Sequence, residues 1–372
     1  MKTRSAVLVE LNAPLEIVDL EIPALQPGQV LVEVAHSGVC HTQLLEARGH
    51  RGEDRFLPHC LGHEGAGIVR EVSEGITKVK PGDNVILSWI KGSGMDVPGT
   101  VYGWNSRKVN AGGLTTFSDL TIASENRLTR LPQGVPMQLA ALLGCAIPTG
   151  VGAVVNTAHP REGQSIAIFG CGGVGLCAVA GAVVAGCDPV IAIDLRADKL
   201  AVAKELGATH VIDASSSDLF VAIKDICKQG LDFAIEATGQ PSVMAQALAA
   251  VRPRGGTTVI IGNARHGQRI ELDPQQLNQG KRLLGTWGGD SDPDRDYPRF
   301  ADWLRTGRLN LEPLMQSTEA SNGYGLEDVN AALADLECGR TIRPIMDMRG
   351  AVSFQPSALS LETETTKLMA GS

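Results

Sequence analysis

The sequence predicts an α/β protein in two parts, one mainly antiparallel β and the other a doubly wound parallel sheet. Three observations predict this. Up to about residue 147 the rhythm is short strands broken by turns. From about residue 148 strands and helices alternate, as parallel strands beneath crossover helices require. Between the first such strand and helix lies Gly170-Cys171-Gly172-Gly173-Val174-Gly175. A chain of 372 residues has room for two hydrophobic cores.

In the first part, strands are expected at residues 6–10, 15–20, 29–35, 67–72 and 84–89, with Pro27-Gly28 and Pro81-Gly82 punctuating them. Val30-Leu31-Val32-Glu33-Val34 combines β-branched residues with a polar interruption, the pattern of a half-buried strand. Helices are scarce there. In the second part the strands fall at 165–169, 189–194, 210–213, 232–236, 257–261 and 282–286, with helices such as 198–206 and 242–251 between them. Helical runs at 297–306 and 326–336 and a strand at 342–348 follow. The expected division is 1–147 with 288–350 as one domain and 148–287 as the other. Residues 351–372, Ser/Thr-rich and without sustained periodicity, are expected to form a loose tail.

Composition excludes several classes. Hydrophobic residues make up 43% and charged residues 20%, the balance of a soluble globular protein. The formal charge is −8 and no basic cluster stands out, so a nucleic-acid partner is not expected. The longest weakly polar run, residues 173–187, has 15 residues and four glycines; it is too short to cross a bilayer and reads as a buried helix. Lys2-Thr3-Arg4 is followed by neither a long apolar stretch nor a small-residue cleavage site, so no signal peptide is expected. Eight scattered cysteines, with no Cys-x-x-Cys pair, point to a reducing compartment and a cytoplasmic location.

The glycine turn meets the conditions of a dinucleotide site: a strand before it, a helix after it, and Asp194 nineteen residues past Gly175. Gly170 permits the tight turn, Gly172 lets a pyrophosphate approach the backbone, and Gly175 lets helix and strand pack closely. The helix start, at Gly173 and Val174, turns unpaired N–H groups toward the anion. Asp194 suits the ribose hydroxyls and repels a 2′-phosphate, favouring NAD over NADP, although Arg196 is a residue type that accommodates that phosphate. A structural glycine turn is the bland alternative.

Cys40, His63 and Cys145 offer two thiolates and an imidazole, the three-ligand set of a catalytic zinc with one exchangeable position. Their separations, 23 and 82 residues, carry little weight alone; each residue has a plain structural explanation. Taken together, the sequence resembles the zinc-containing medium-chain alcohol dehydrogenases. The resemblance rests on Gly38-Val39-Cys40-His41-Thr42, Gly62-His63-Glu64-Gly65-Ala66-Gly67, Gly144-Cys145 with Thr149-Gly150, the glycine turn with Asp194, and Ile342-Arg343. It implies a GroES-like catalytic domain beside a Rossmann domain, and zinc on Cys40, His63 and Cys145 with Glu64 beside it. Thr42 would take the substrate proton, while His41, Lys199, Gly262 and Arg343 would contact the cofactor. Trp89 would line the substrate channel, with core packing as its alternative. A homodimer or homotetramer paired through the cofactor domains is also implied. The chemistry would be Lewis-acid activation of an alcohol and hydride transfer to NAD.

Three departures from the family pattern stand out. The stretch 91–113 carries none of the four cysteines that hold a structural zinc in many relatives, so one zinc per subunit is expected, with a glycine-rich loop in the lobe's place. The outer relay histidine is replaced by Leu45, and the acidic residue after the relay hydroxyl by Gln43. Cys60 is expected to be a buried thiol, and His50 and His59 solvated loop residues. Cys171 should pack in its turn, at a helix start that tends to lower a thiol pKa. Two other functions compete with this reading: a zinc-free reductase of activated double bonds, which would lack the ligand trio, and a non-catalytic dinucleotide binder.

Overall fold

A computed structural model describes residues 1–215, 218–319 and 323–349; the expected tail at 351–372 lies outside the described residues. The first part contains β1 (Lys2–Leu8), β2 (Glu16–Glu21), β3 (Gln29–Gly38), α1 (His41–Ala47), β4 (His59–Cys60), β5 (Glu64–Val72) and β6 (Asn84–Ser88). It continues with β7 (Val101–Trp104), β8 (Arg107–Asn110), β9 (Leu120–Ser124), β10 (Leu128–Arg130), α2 (Met137–Ala141) and α3 (Ala146–Gly152). Strands β1, β2, β7, β8 and β4 close a small barrel, and β10-β6-β5-β3-β17 (β17 being Ile345–Asp347) with β9 on β3 form the second sheet. Strand β3 is buried almost throughout, because β5 and β9 pair along its two edges and Leu31 packs with barrel residues Val7, Leu20 and Tyr102.

The second part runs β11 (Ile166–Phe169), α4 (Gly173–Val184), β12 (Val190–Asp194), α5 (Ala197–Glu205), β13 (His210–Asp213), α6 (Leu219–Ile226), β14 (Phe233–Glu236) and α7 (Pro241–Ala250). It ends with β15 (Thr257–Ile260), α8 (Pro274–Asn278) and β16 (Arg282–Gly285). The strand order is β13-β12-β11-β14-β15-β16, every pair parallel. The order reverses between β11 and β14, and ligands bind beyond the carboxyl ends of strands at such a switch point. Helix α4 is the buried helix expected from the apolar run, and among the described residues no single helix is long and apolar enough to cross a membrane. Helices α9 (Pro293–Arg305), α10 (Glu312–Glu319) and α11 (Val329–Glu337) lead to β17 (Ile345–Asp347), which returns to the first part and pairs with β3.

The expected glycine-rich loop at 91–113 is only half right. Its second half is the β7–β8 hairpin, turned by Asn105 and Ser106 at φ 45° and 67°. Its first half is pinned by carboxylates: Glu125 accepts the backbone N–H groups of Thr77, Lys78 and Met95, and Asp294 accepts that of Ser93 while pairing with Lys78 at 2.7 Å. Helices are also less scarce in this part than expected, and α1 is the one that matters for the site.

Candidate active site

Strand β3 delivers the chain to Cys40, the residue before α1, and β5 begins one residue after His63. Cys145 follows a short 3-10 turn at Leu142–Gly144 and precedes α3. Ser88, at the end of β6, ties these pieces together: its residue pairs with Glu64, and its hydroxyl donates to the Gly144 carbonyl at 2.9 Å and contacts Tyr297 Oη at 2.6 Å. Residues 23 and 82 apart in sequence are thereby brought together, and the sulfurs and an imidazole nitrogen all lie within 4.8 Å of one another.

This donor set fits zinc. A tetrahedral zinc spaces such ligand atoms roughly 3.5–4 Å apart. His63 Nε2 is buried without a hydrogen-bond partner, an arrangement a metal bond would resolve. The Cys145 thiol hydrogen-bonds to the Cys40 sulfur and, with Arg343 and His63 close by, holds Cys40 well below the usual thiol range despite burial. The same bond and burial push Cys145 up. By contrast, burial alone raises Cys60 to about 12, so it is the inert thiol expected.

Beside the trio lies a buried ion pair. Arg343 contacts Glu64, with side-chain exposures of 3% and 0%, and Glu64 also accepts the Ala146 N–H at 3.3 Å. The Arg343 side chain rests against Gly173, where an added Cβ would come within 3.0 Å of its Cδ. One residue thus joins the metal ligands to the glycine turn. Lys199 and Arg343 both lie within electrostatic reach of His41, so three basic groups gather on this side of the turn.

The turn itself is built as its sequence requires. Gly170 has φ +94°, and a Cβ on Gly175 would sit 1.8 Å from the Gly170 carbonyl oxygen. A Cβ on Gly172 would meet nothing within 4 Å, which leaves an open cradle at the start of α4 where a pyrophosphate fits. The Asp194 carboxylate is fixed by the Cys171 and Arg196 N–H groups at 2.7 and 3.1 Å. The Arg196 guanidinium is paired with Asp198 at 2.7 Å. Val174 lies in the first turn of α4, and Gly262 follows β15, its N–H donating to the Glu236 carbonyl at 3.0 Å. The helix start does not activate Cys171: its thiol is pushed up by burial, with Asp194 nearby adding to the effect.

Thr42 is the second residue of α1, half-buried and two residues from Cys40. Gln43 is buried beneath it, its Oε1 accepting the Cys40 N–H at 2.8 Å and its Nε2 contacting His63 Nδ1. Leu45 is buried at 8% exposure. His59 is not a solvated loop residue, because it sits in β4 and pairs with Asp54 at 2.7 Å. His50 lies on the loop after α1, where its carbonyl accepts the His266 N–H at 2.9 Å from the loop after β15. Trp89, one residue past Ser88, is half-buried with its Nε1 unpartnered, and its ring meets Trp287 edge to face with centroids 5.1 Å apart. Trp287 escaped the sequence reading. It is 76% exposed and stands just beyond the carboxyl end of β16, a position only the fold reveals.

Comparison with known proteins agrees with this geometry. Residues 26–133 match the alcohol dehydrogenase GroES-like domain, and residues 173–306 match zinc-binding dehydrogenase. An S-(hydroxymethyl)glutathione dehydrogenase of Synechocystis sp. is 35% identical over 373 residues, covering 93% of this chain and all of the relative. A crystal structure of benzyl alcohol dehydrogenase from Acinetobacter calcoaceticus superposes with TM-score 0.84 at 30% identity, over 93% of this chain and 99% of that one. An alcohol dehydrogenase zinc-binding domain protein from Burkholderia ambifaria gives the same TM-score and coverage at 32% identity.

Proposed function

The chain belongs to the zinc-dependent medium-chain alcohol dehydrogenases, and on that footing we propose that Cys40, His63 and Cys145 hold one zinc per subunit, that NAD is the acceptor, and that the substrate is an uncharged alcohol bearing an aromatic ring. When bound, zinc supplies Lewis-acid polarisation of the substrate oxygen and NAD takes the hydride. The chain's own residues do the rest. Thr42 takes the substrate proton, Asp194 and Lys199 hold the adenosine ribose, and His41 and Arg343 face the pyrophosphate at the Gly170–Gly175 turn, with Gly262 a further cofactor contact. Glu64 holds Arg343 in place. Buried Leu45 offers that proton no titratable way out.

The observation that carries the substrate class is the pair Trp89 and Trp287, two indoles set edge to face, one of them largely exposed. An exposed indole gains most from a flat ring laid against it, and aromatic pairs of this kind are worth about 0.5–1.5 kcal/mol beyond their buried area. The arginines on the loop after α1 already have carboxylate partners, Arg51 with Glu46 at 3.2 Å and Arg55 with Glu53 at 3.6 Å, which supports a neutral substrate over an anionic glutathione adduct. A kinetic comparison of benzylic alcohols, short aliphatic alcohols and S-(hydroxymethyl)glutathione tests this. Benzylic alcohols should show the highest kcat/KM, and Trp287→Ala should lower it about 10-fold or more for them alone, once ring stacking and lost buried area are combined. Preference for the glutathione adduct would overturn the substrate class.

The catalytic domain is taken as residues 1–147 with 288–350 and the cofactor domain as 148–287. The exposed outer edge of β16 supports pairing of two cofactor domains, hence a homodimer or homotetramer. The scattered, unbridged cysteines support a cytoplasmic location.

A further inference from the structure

We infer that Gln43 is a positioning residue that leaves the metal centre one acceptor short, so that this chain holds its zinc more loosely than it would with a carboxylate at the same position. The inference rests on the zinc assignment proposed above. Gln43 is the third residue of α1, and its side chain bridges two parts of the site: Oε1 accepts the Cys40 backbone N–H at 2.8 Å, while Nε2 contacts His63 Nδ1. In that arrangement the amide donates to Nδ1, so the imidazole proton belongs on Nε2, the nitrogen that is buried without a partner and left over for the metal.

A metal bound at Nε2 reverses this. The neutral imidazole then carries its proton on Nδ1 and needs an acceptor there. Two N–H groups, from Cys40 and His63, converge on a side chain with a single oxygen. If the amide turns half a revolution to offer Oε1 to His63, it points its NH2 group at the Cys40 N–H. Either orientation leaves a buried donor facing a donor. A carboxylate of the same length would give one oxygen to each. Outer-shell partners of a ligating histidine are worth about 10–100-fold in metal affinity.

The amide also sets the charge of the centre. Two thiolates balance zinc, and Glu64 balances Arg343. A neutral Gln43 adds nothing, so the loaded site is uncharged, whereas a carboxylate there would make it negative. An uncharged centre draws electron density from a substrate oxygen more strongly. Looser hold and stronger electrophilicity are two consequences of one substitution.

The test uses the full-length, zinc-loaded protein and a chromophoric chelator in excess, with zinc release followed in wild type and Gln43→Glu. Glutamate keeps the bond to the Cys40 N–H and supplies the second acceptor. Release from Gln43→Glu should be about 10–100-fold slower. Thermal melts separate this from a simple helix-capping effect: the midpoint of the zinc-free protein should match wild type, while the midpoint rise on adding zinc should be larger in Gln43→Glu. Equal release rates, or equal stabilisation of the zinc-free and loaded forms, would overturn the role of Gln43. Wild-type protein with no zinc on Cys40, His63 and Cys145 would overturn the assignment on which the inference stands.

Discussion

Replacing Glu64 with glutamine would probe the Arg343 contact that joins the Cys40, His63 and Cys145 cluster to the glycine turn. The substitution conserves shape and removes one charge. Arg343, 3% exposed and with Nε already unpartnered, then keeps a positive charge with no carboxylate beside it. Removing one partner from a buried pair costs about 3–5 kcal/mol. The Cys40 and Cys145 sulfurs also act on Arg343 and soften the loss while they carry net charge. Zinc cancels that charge, so the penalty should be larger in the loaded protein than in the stripped one. At about 2–4 °C per kcal/mol for domains of this size, the loaded melting point should fall by roughly 6–20 °C. Calorimetry on both forms reads this directly. Arg343→Gln should weaken NAD binding by about 10–100-fold through loss of a charge-assisted hydrogen bond, and the double variant should lose less stability than the two single losses combined. Strict additivity, or an equal fall in loaded and stripped protein, would refute the coupling.

Asp194→Ser should narrow the proposed preference for NAD over NADP, because it removes the negative charge that would face the ribose; kcat/KM with each cofactor checks it, and an unchanged ratio would count against Asp194 as the discriminator. A second expectation concerns acid stability. Burial pushes the Asp232 carboxyl up, but hydrogen bonds from Arg252 and Ser165 leave it below the usual carboxylate range. A depressed folded value means stability that is present above the unfolded carboxylate pKa, about 3.9, and lost as pH falls through the lower folded value. Asp232→Asn should therefore flatten the loss of stability below about pH 4 in a denaturation series, with little added change near neutrality beyond a constant offset.

Much of the cofactor side was legible in the sequence because its constraints are local. The βαβ alternation, the glycines forced by close packing and the acidic residue at the end of β12 all fall within about thirty residues. The zinc trio was legible only through the combination of motifs, since its three residues meet by way of three separate elements. The periodicity of a seven-residue helix is too short to read, which is why α1 went unseen although it carries Thr42 and Gln43. The β7–β8 hairpin was hidden for a related reason: Asn105-Ser106 lacks the glycine that usually marks a two-residue turn. Trp287 needed the fold, because nothing in the sequence says that the end of β16 faces the end of β6. Cys171 shows a local rule outweighed: a helix start lowers a thiol pKa only where the thiol is not sealed from water.

The carboxylate clamps of Glu125 and Asp294 on residues 77–95 carry a consequence for metal economy. Oxygen-to-amide bonds of this kind ask nothing of the cell's metal supply and are indifferent to chelators; they yield instead to acid and, at the exposed Lys78–Asp294 link, to salt. Residues 77–95 are thus held by groups whose strength follows pH and ionic strength.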